Sequence, residues 1–162
     1  MKDILDFRLE ILQQEIDNLQ ASIRNYNNIL YLIKGWSITL FSGLVALALQ
    51  QNNPKIILIA IPSSLMFWIT ETLARIVQRH FIARYHKIEW FLRNESQLED
   101  VWEKRTFRGL NFPDMIARYS VKDIKTKTSF WYNAITLQTS LLYILQIILA
   151  ALLFICMSSS YL

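Results

Sequence analysis

Three stretches without a charged residue, 35–49, 56–70 and 134–157, alternate with segments in which charge and apolar residues are mixed at helical spacing. The third covers 24 residues, roughly 36 Å of helix, enough to cross a bilayer. The first two are 15 residues each, about 22 Å against a hydrocarbon core of roughly 30 Å. Their polar ends therefore need local thinning or shelter from other helices. The turn between them, 50–55 (QQNNPK), is short and closed by Pro54, so the two helices form an antiparallel hairpin.

Ahead of the hairpin, residues 1–33 read as one helix with a heptad seam. Leu5, Leu9, Leu12, Ile16, Leu19, Ile23, Tyr26, Leu30 and Ile33 follow at alternating steps of four and three. Flanking positions such as Gln13, Gln20, Ser22 and Asn27 carry little complementary charge. Peripheral contact with the membrane surface is one destination for this seam, and two others fit it better. It can pair with a second chain as a coiled coil, or pack on the chain's own segment 72–103, where Leu73, Val77, Phe81, Ile88, Phe91, Leu98 and Trp102 recur at similar spacing.

Folding the hairpin about Asn52 and Asn53 makes facing positions sum to about 105. Lys34 then faces Glu71, and Trp36 falls close to Trp68. Arg75 follows Glu71 at i+4, the favourable order for an acid and a base on one helix. A clasp of Lys34, Glu71 and Arg75 at one end of the hairpin is the expectation, with snorkelling of each charge into water, or a gating or ion-path role, as the alternatives. Gly35, Thr39, Ser42, Gly43 and Ala46 form a small-residue face on the first span that permits close helix contact. On the third span Asn133, Thr136, Ser140 and Tyr143 make a polar stripe, continued by Gln146 near its middle. These side chains suit interhelical hydrogen bonds or a wet pore wall. Trp36, Trp68, Phe130, Trp131 and Tyr132 read as an interfacial aromatic belt.

Charge fixes an orientation. Four of the 17 basic residues precede the first span, Lys55 alone lies in the turn, and twelve fall between Arg75 and Lys127. The positive-inside rule puts the N-terminus and 72–133 in the cytoplasm and the C-terminal end outside. Within 72–133, the helix from 72 ends near 104–114 (KRTFRGLNFPD), where Gly109, Asn111 and Pro113 break continuity, and a shorter helix starts near Asp114. Arg105, Arg108, Arg118, Lys122, Lys125 and Lys127 are placed to meet lipid phosphates. Acidic residues at 3, 6, 10, 15 and 17 are foreign to a secretory signal. The net charge of +4 comes with no basic–aromatic platform of a nucleic-acid binder.

The fold expected is an all-α membrane protein. It comprises a cytoplasmic heptad helix (1–33), a transmembrane hairpin (34–77), a helical cytoplasmic segment (78–133), a third transmembrane helix (134–157) and an external tail (158–162). Nothing in the sequence forms a catalytic, cofactor or metal motif. Arg75 to His80 and Arg79 to His86 fit the short Arg-x4–6-His spacing of HEPN ribonucleases, but Arg75 falls at the membrane edge. His80, His86 and Glu89 match no dedicated metal-ligand spacing. Cys156 reads as a small packing residue.

The run Lys34 to Leu40 (KGWSITL), with the hairpin and its Phe67 and Trp68, resembles small bacterial inner-membrane proteins of uncharacterised function. The resemblance covers about 30–95, implies a bacterial cytoplasmic-membrane protein and carries no catalytic residues over. In architecture, a helical module on a minimal hairpin is similar to the membrane effectors of antiphage systems. The expected function is that of a non-enzymatic, homo-oligomeric membrane protein that perturbs or permeabilises the bilayer. The alternative is an adaptor recruiting a cytoplasmic protein through its N-terminal helix. A small-solute transporter ranks below both, since repeats and a charged mid-bilayer site are missing.

Overall fold

The computed structural model describes residues 3–104, 110 and 129–159. Of these, 94% are helical and none lies in a strand. The order is α1 (Ile4–Gln50), a 3-10 turn (Pro54–Ile56), α2 (Ile57–Arg93), α3 (Glu95–Lys104), α4 (Phe130–Ile135) and α5 (Leu137–Ser159). Three of these helices, α1, α2 with its leading 3-10 turn, and α5, are long and apolar enough to cross a membrane. The expected helix breakers Gly109, Asn111 and Pro113, the helix near Asp114 and the basic residues Arg105, Arg108, Arg118, Lys122, Lys125 and Lys127 lie outside the described residues.

α1 and α2 ignore the boundaries drawn between span and arm. α1 holds no proline, so the seam runs into the first span as one helix. Thr39 satisfies its hydroxyl by donating to Gly35 O at 3.0 Å. α2 continues through Pro62, and beside it Ser63 Oγ donates to Ile59 O at 2.8 Å. The connection between α1 and α2 is made by two asparagines. Asn52 takes a left-handed backbone (φ 49°), which asparagine tolerates better than most residues. Asn53 Oδ1 accepts from Lys55 N at 3.1 Å as Pro54 opens the 3-10 turn.

Two breaks depart from the sequence reading. The helix expected over 72–103 stops at Arg93. Asn94 donates to Phe91 O and then starts α3, its carbonyl accepting from Gln97 and Leu98 N–H and its Oδ1 from Ser96 Oγ. This interruption changes the helix phase, so Val101 is buried while Leu98 and Trp102, placed on the seam by unbroken spacing, are exposed. The third span, expected as one helix from 134, is interrupted at Thr136 (ψ 134°). Its hydroxyl donates to Asn133 O and its carbonyl accepts from Thr139 and Ser140 N–H. α5 also runs to Ser159, two residues past the expected end at 157.

The chain forms two compact units. The first takes residues up to Asn27 and from Val77. Its core is Leu12, Leu19, Ile88, Phe91, Val101 and Leu110, with Leu5, Ile16 and Phe81 packed on it. The seam's d positions at 12 and 19 thus pack on the chain's own α2, whereas Leu9, an a position, is 41% exposed. Leu73 and Val77, expected along the facing row, are exposed. Arg84 sits where that row skips from Phe81 to Ile88; its Nε donates to Glu15 Oε1 at 2.6 Å, with Arg84 fully buried and the Glu15 side chain 10% exposed. Gln78 Nε2 donates to Asn27 Oδ1 at 2.7 Å, and Tyr26 meets Phe81 at 5.6 Å between centroids.

The second unit takes 28–76 and the residues from Lys127. Phe41, Ala48, Ile57, Ala60, Ala150 and Met157 form its apolar cluster near the turn, with alanines allowing α1, α2 and α5 to approach closely. Ser37, Ser64, Glu71, Thr72, Asn133, Thr139, Ser140 and Gln146 are also buried in this unit. Its interior is thus polar at one end and apolar at the other.

Candidate functional site

At the polar end, the structure brings Lys34, Glu71 and Arg75 together. Glu71 is fully buried. Its Oε1 accepts from Arg75 Nη2 at 2.7 Å and lies 3.5 Å from Lys34 Nζ. The i+4 spacing supplies Arg75 from the same helix, and the hairpin fold supplies Lys34 from α1. The other carboxylate oxygen, Oε2, accepts from Tyr143 Oη of α5 at 2.8 Å. Each oxygen thus has a strong donor, as a carboxylate removed from water requires.

Gln138 completes the cluster. Lys34 Nζ donates to its backbone oxygen at 2.7 Å, and Arg75 Nη1 reaches its side-chain oxygen at 3.4 Å. Gln138 is not legible in the sequence because the connection to α5 is too long to set a register, whereas the tight turn at 50–55 sets one for the hairpin. The interruption at Thr136 places Gln138 in the first turn of α5, next to both cations.

Trp68, half-buried, has partners on α4 and α5. It stacks on Tyr143 (centroids 6.3 Å, interplanar 13°), and its Nε1 donates to Ala134 O at 3.0 Å. Trp36 is exposed, as are Trp131 and Tyr132, while Phe130 is half-buried with its ring edge against Trp131. Deeper in the unit Ser37 Oγ donates to Gln146 Oε1 at 3.0 Å, buried on both sides. A glutamine near the middle of an apolar helix signals that it needs a partner; which residue answers is legible only from the structure.

The polar stripe of α5 is therefore consumed inside the unit. Tyr143 and Gln146 bond across to α2 and α1; Asn133, Thr136 and Ser140 bond back to Ser129, Asn133, Ile135 and Thr136 carbonyls. By contrast, Gly35, Thr39, Ser42, Gly43 and Ala46 are all exposed, and no atom lies within 4 Å of a side chain built on either glycine. Among the described residues the small-residue face is thus left open to the outside of the unit. The contact face of α1 lies at Leu30, Ile33, Ser37, Phe41 and Ala48.

No three His, Cys, Asp or Glu side chains converge as a metal set among the described residues. His86 Nδ1 lies 3.2 Å from Glu89 Oε2, itself bonded to Arg93, as an exposed surface ladder. Arg75, one member of the Arg–His spacing, is committed to Glu71 and Gln138. No protein-family model, curated protein or solved structure matches the chain. The buried Glu71 cluster is the arrangement with the most chemistry. What it can do is neutralise charge, bind an anion and lock three helices together.

Proposed function

We propose that this is an integral membrane protein whose second unit spans the bilayer three times and anchors a helical cytoplasmic unit that acts as an adaptor. The supporting observation for the membrane is the outside of the apolar helices. Only 22%, 28% and 28% of the three most apolar windows is buried. Such a continuous apolar surface in water would far exceed the patches soluble monomers carry, and lipid covers it at no cost. The orientation follows the basic residues, with N-terminus and 72–133 on the cytoplasmic side of a bacterial inner membrane and the C-terminal end outside.

The adaptor reading rests on one observation, the inward closure of the polar stripe. A pore wall needs polar side chains facing a water path. Here Tyr143 and Gln146 are spent on Glu71 and Ser37, and the far half of the unit is filled by the Phe41–Met157 cluster. Recruitment of a cytoplasmic protein falls to the exposed apolar residues of the first unit, Phe7, Trp90 and Trp102, and not to Leu12 or Leu19, which its own core holds.

A second reading has one observation in its favour. The exposed face from Gly35 to Ala46 suits close contact between copies, and a homo-oligomer joined there could perturb or permeabilise the bilayer. Ion flux through liposomes holding the full-length protein separates the two. The adaptor reading predicts flux no greater than in protein-free liposomes. Flux that rises with protein density and is abolished by Gly43→Leu would replace it with the oligomeric pore.

A further inference from the structure

The Glu71 cluster is not electrically balanced. Glu71 carries the one acidic side chain among residues 28–76 and 127–162, and it faces both Lys34 and Arg75. The next acidic residues along the helices are Asp17, 17 positions before Lys34 on α1, and Glu89, 14 positions after Arg75 on α2. At 1.5 Å per residue these lie about 25 and 21 Å away along their helices, beyond the Debye length of roughly 8 Å at physiological ionic strength. Among the described residues, one positive charge is left over where the apolar part of the helices ends.

Both cations retain donors. Arg75 makes one short bond, to Glu71; its contact to Gln138 Oε1 is long at 3.4 Å, and its buried Nε meets no acceptor among the described residues. Lys34 has three N–H groups, one of them on Gln138 O, and its side chain is 30% exposed, so an incoming anion reaches it from outside the unit. Trp36, Trp131 and Tyr132 are exposed in this unit, in the residue types that sit at headgroup level.

We infer that Lys34 and Arg75 form a binding site for the phosphate of an anionic membrane phospholipid, which supplies the counter-charge the unit lacks. The inference rests on the membrane reading above. The cytoplasmic leaflet, where the orientation puts this end, is the leaflet rich in acidic lipid in the general case. Glu71 then has two roles: it holds the two cations 2.7 and 3.5 Å from one oxygen, and it limits the attraction for the anion by cancelling one of them. The recognised group is a phosphate with net negative charge, so a zwitterionic phosphocholine headgroup binds less well.

The test uses full-length protein purified in uncharged maltoside detergent and offered phosphatidylglycerol or phosphatidylcholine of equal chain length, with retained lipid counted by native mass spectrometry. Phosphatidylglycerol should be retained about fivefold more, the effect of roughly one cation near a headgroup. Lys34→Gln should abolish that preference, and Lys55→Gln, at the other end of the hairpin, should leave it intact. Glu71→Gln, which keeps the side chain's shape and raises the local charge to two positives, should strengthen it. A clasp that served only to hold helices would not produce that gain. Arg75→Gln should weaken retention; if it fails to fold, Lys34→Gln and Glu71→Gln decide alone. Equal retention of both lipids, or retention unmoved by Lys34→Gln, overturns the site. Displacement of the lipid by millimolar inorganic phosphate reassigns it to a free anion and overturns the lipid assignment. Release of the protein from membranes by alkaline carbonate, a separate result, would sink the membrane reading itself.

Discussion

The two units solve the same packing problem with opposite materials. In the unit around Leu12 and Phe91, the interior is mainly apolar, with Gln78 and Arg84 its fully buried polar residues among those described. In the unit around Glu71, eight polar residues are buried, and 24 of the 32 exposed large hydrophobic residues lie on its outside, counting the described residues alone. The first follows the rule for water, in which apolar burial drives assembly. On the membrane reading proposed above, the second follows the rule for lipid, in which apolar contact between helices gains little and hydrogen bonds and close packing hold them. One continuous helix, α1, takes part in both, changing from a leucine seam to a face of Ser37, Phe41 and Ala48 within its 47 residues.

The largest expected loss breaks the polar unit at its centre. Glu71→Leu removes the carboxylate from under two cations and from Tyr143, and should cost about 3–5 kcal/mol by leaving charge uncompensated in a buried place. Unfolding in detergent, followed by circular dichroism, measures it. Arg84→Met in the other unit should cost a similar amount because Glu15 is left buried. There the contrast sharpens. Adding Glu15→Leu to Arg84→Met should recover most of the loss, since an apolar pair suits an apolar core. Adding Lys34→Met to Glu71→Leu should not, because Arg75 and Tyr143 remain without the acid.

Next comes the seam. Leu12→Ala and Leu19→Ala should each destabilise by about 2–5 kcal/mol, and Leu9→Ala by less than about 0.5 kcal/mol, in equilibrium denaturation. Equal effects at all three positions would place Leu9 in a second interface, as in a coiled coil between chains. A smaller change is expected at mid-helix: Gln146→Leu should cost about 0.6 kcal/mol, the usual size of a hydrogen bond between membrane helices, through loss of the Ser37 contact.

The sequence carried much of this contrast, but unevenly. The hairpin register was readable because Pro54 and a six-residue turn leave few ways to pair α1 with α2, and it placed Lys34 opposite Glu71. The partners from α5 were not readable, since the chain between α3 and α4 imposes no register on Tyr143, Gln138 or Gln146. The seam was visible as a pattern but not its phase. Asn94 breaks the helix and exchanges Trp102 for Val101 in the core, a change that hydrophobic spacing alone does not reveal. Arg84 had a faint signature, the missing member of the 81–88–91 row. The small-residue face was real as a stripe, but spacing did not say whether it turned inward, and in the chain it is exposed.

The claim on which the account depends is that lipid, and neither water nor protein, covers the second unit. Met66 is 71% exposed in that unit and Trp102 is 76% exposed in the other. Spin labels placed at Met66→Cys and Trp102→Cys, in a Cys156→Ser background in reconstituted membranes, report collisions with oxygen and with a water-soluble nickel chelate. The account predicts that oxygen dominates at position 66 and the chelate at position 102. Chelate access at position 66 equal to that at 102 would place the second unit in water and contradict the account, and low access to both reagents would place that face against protein.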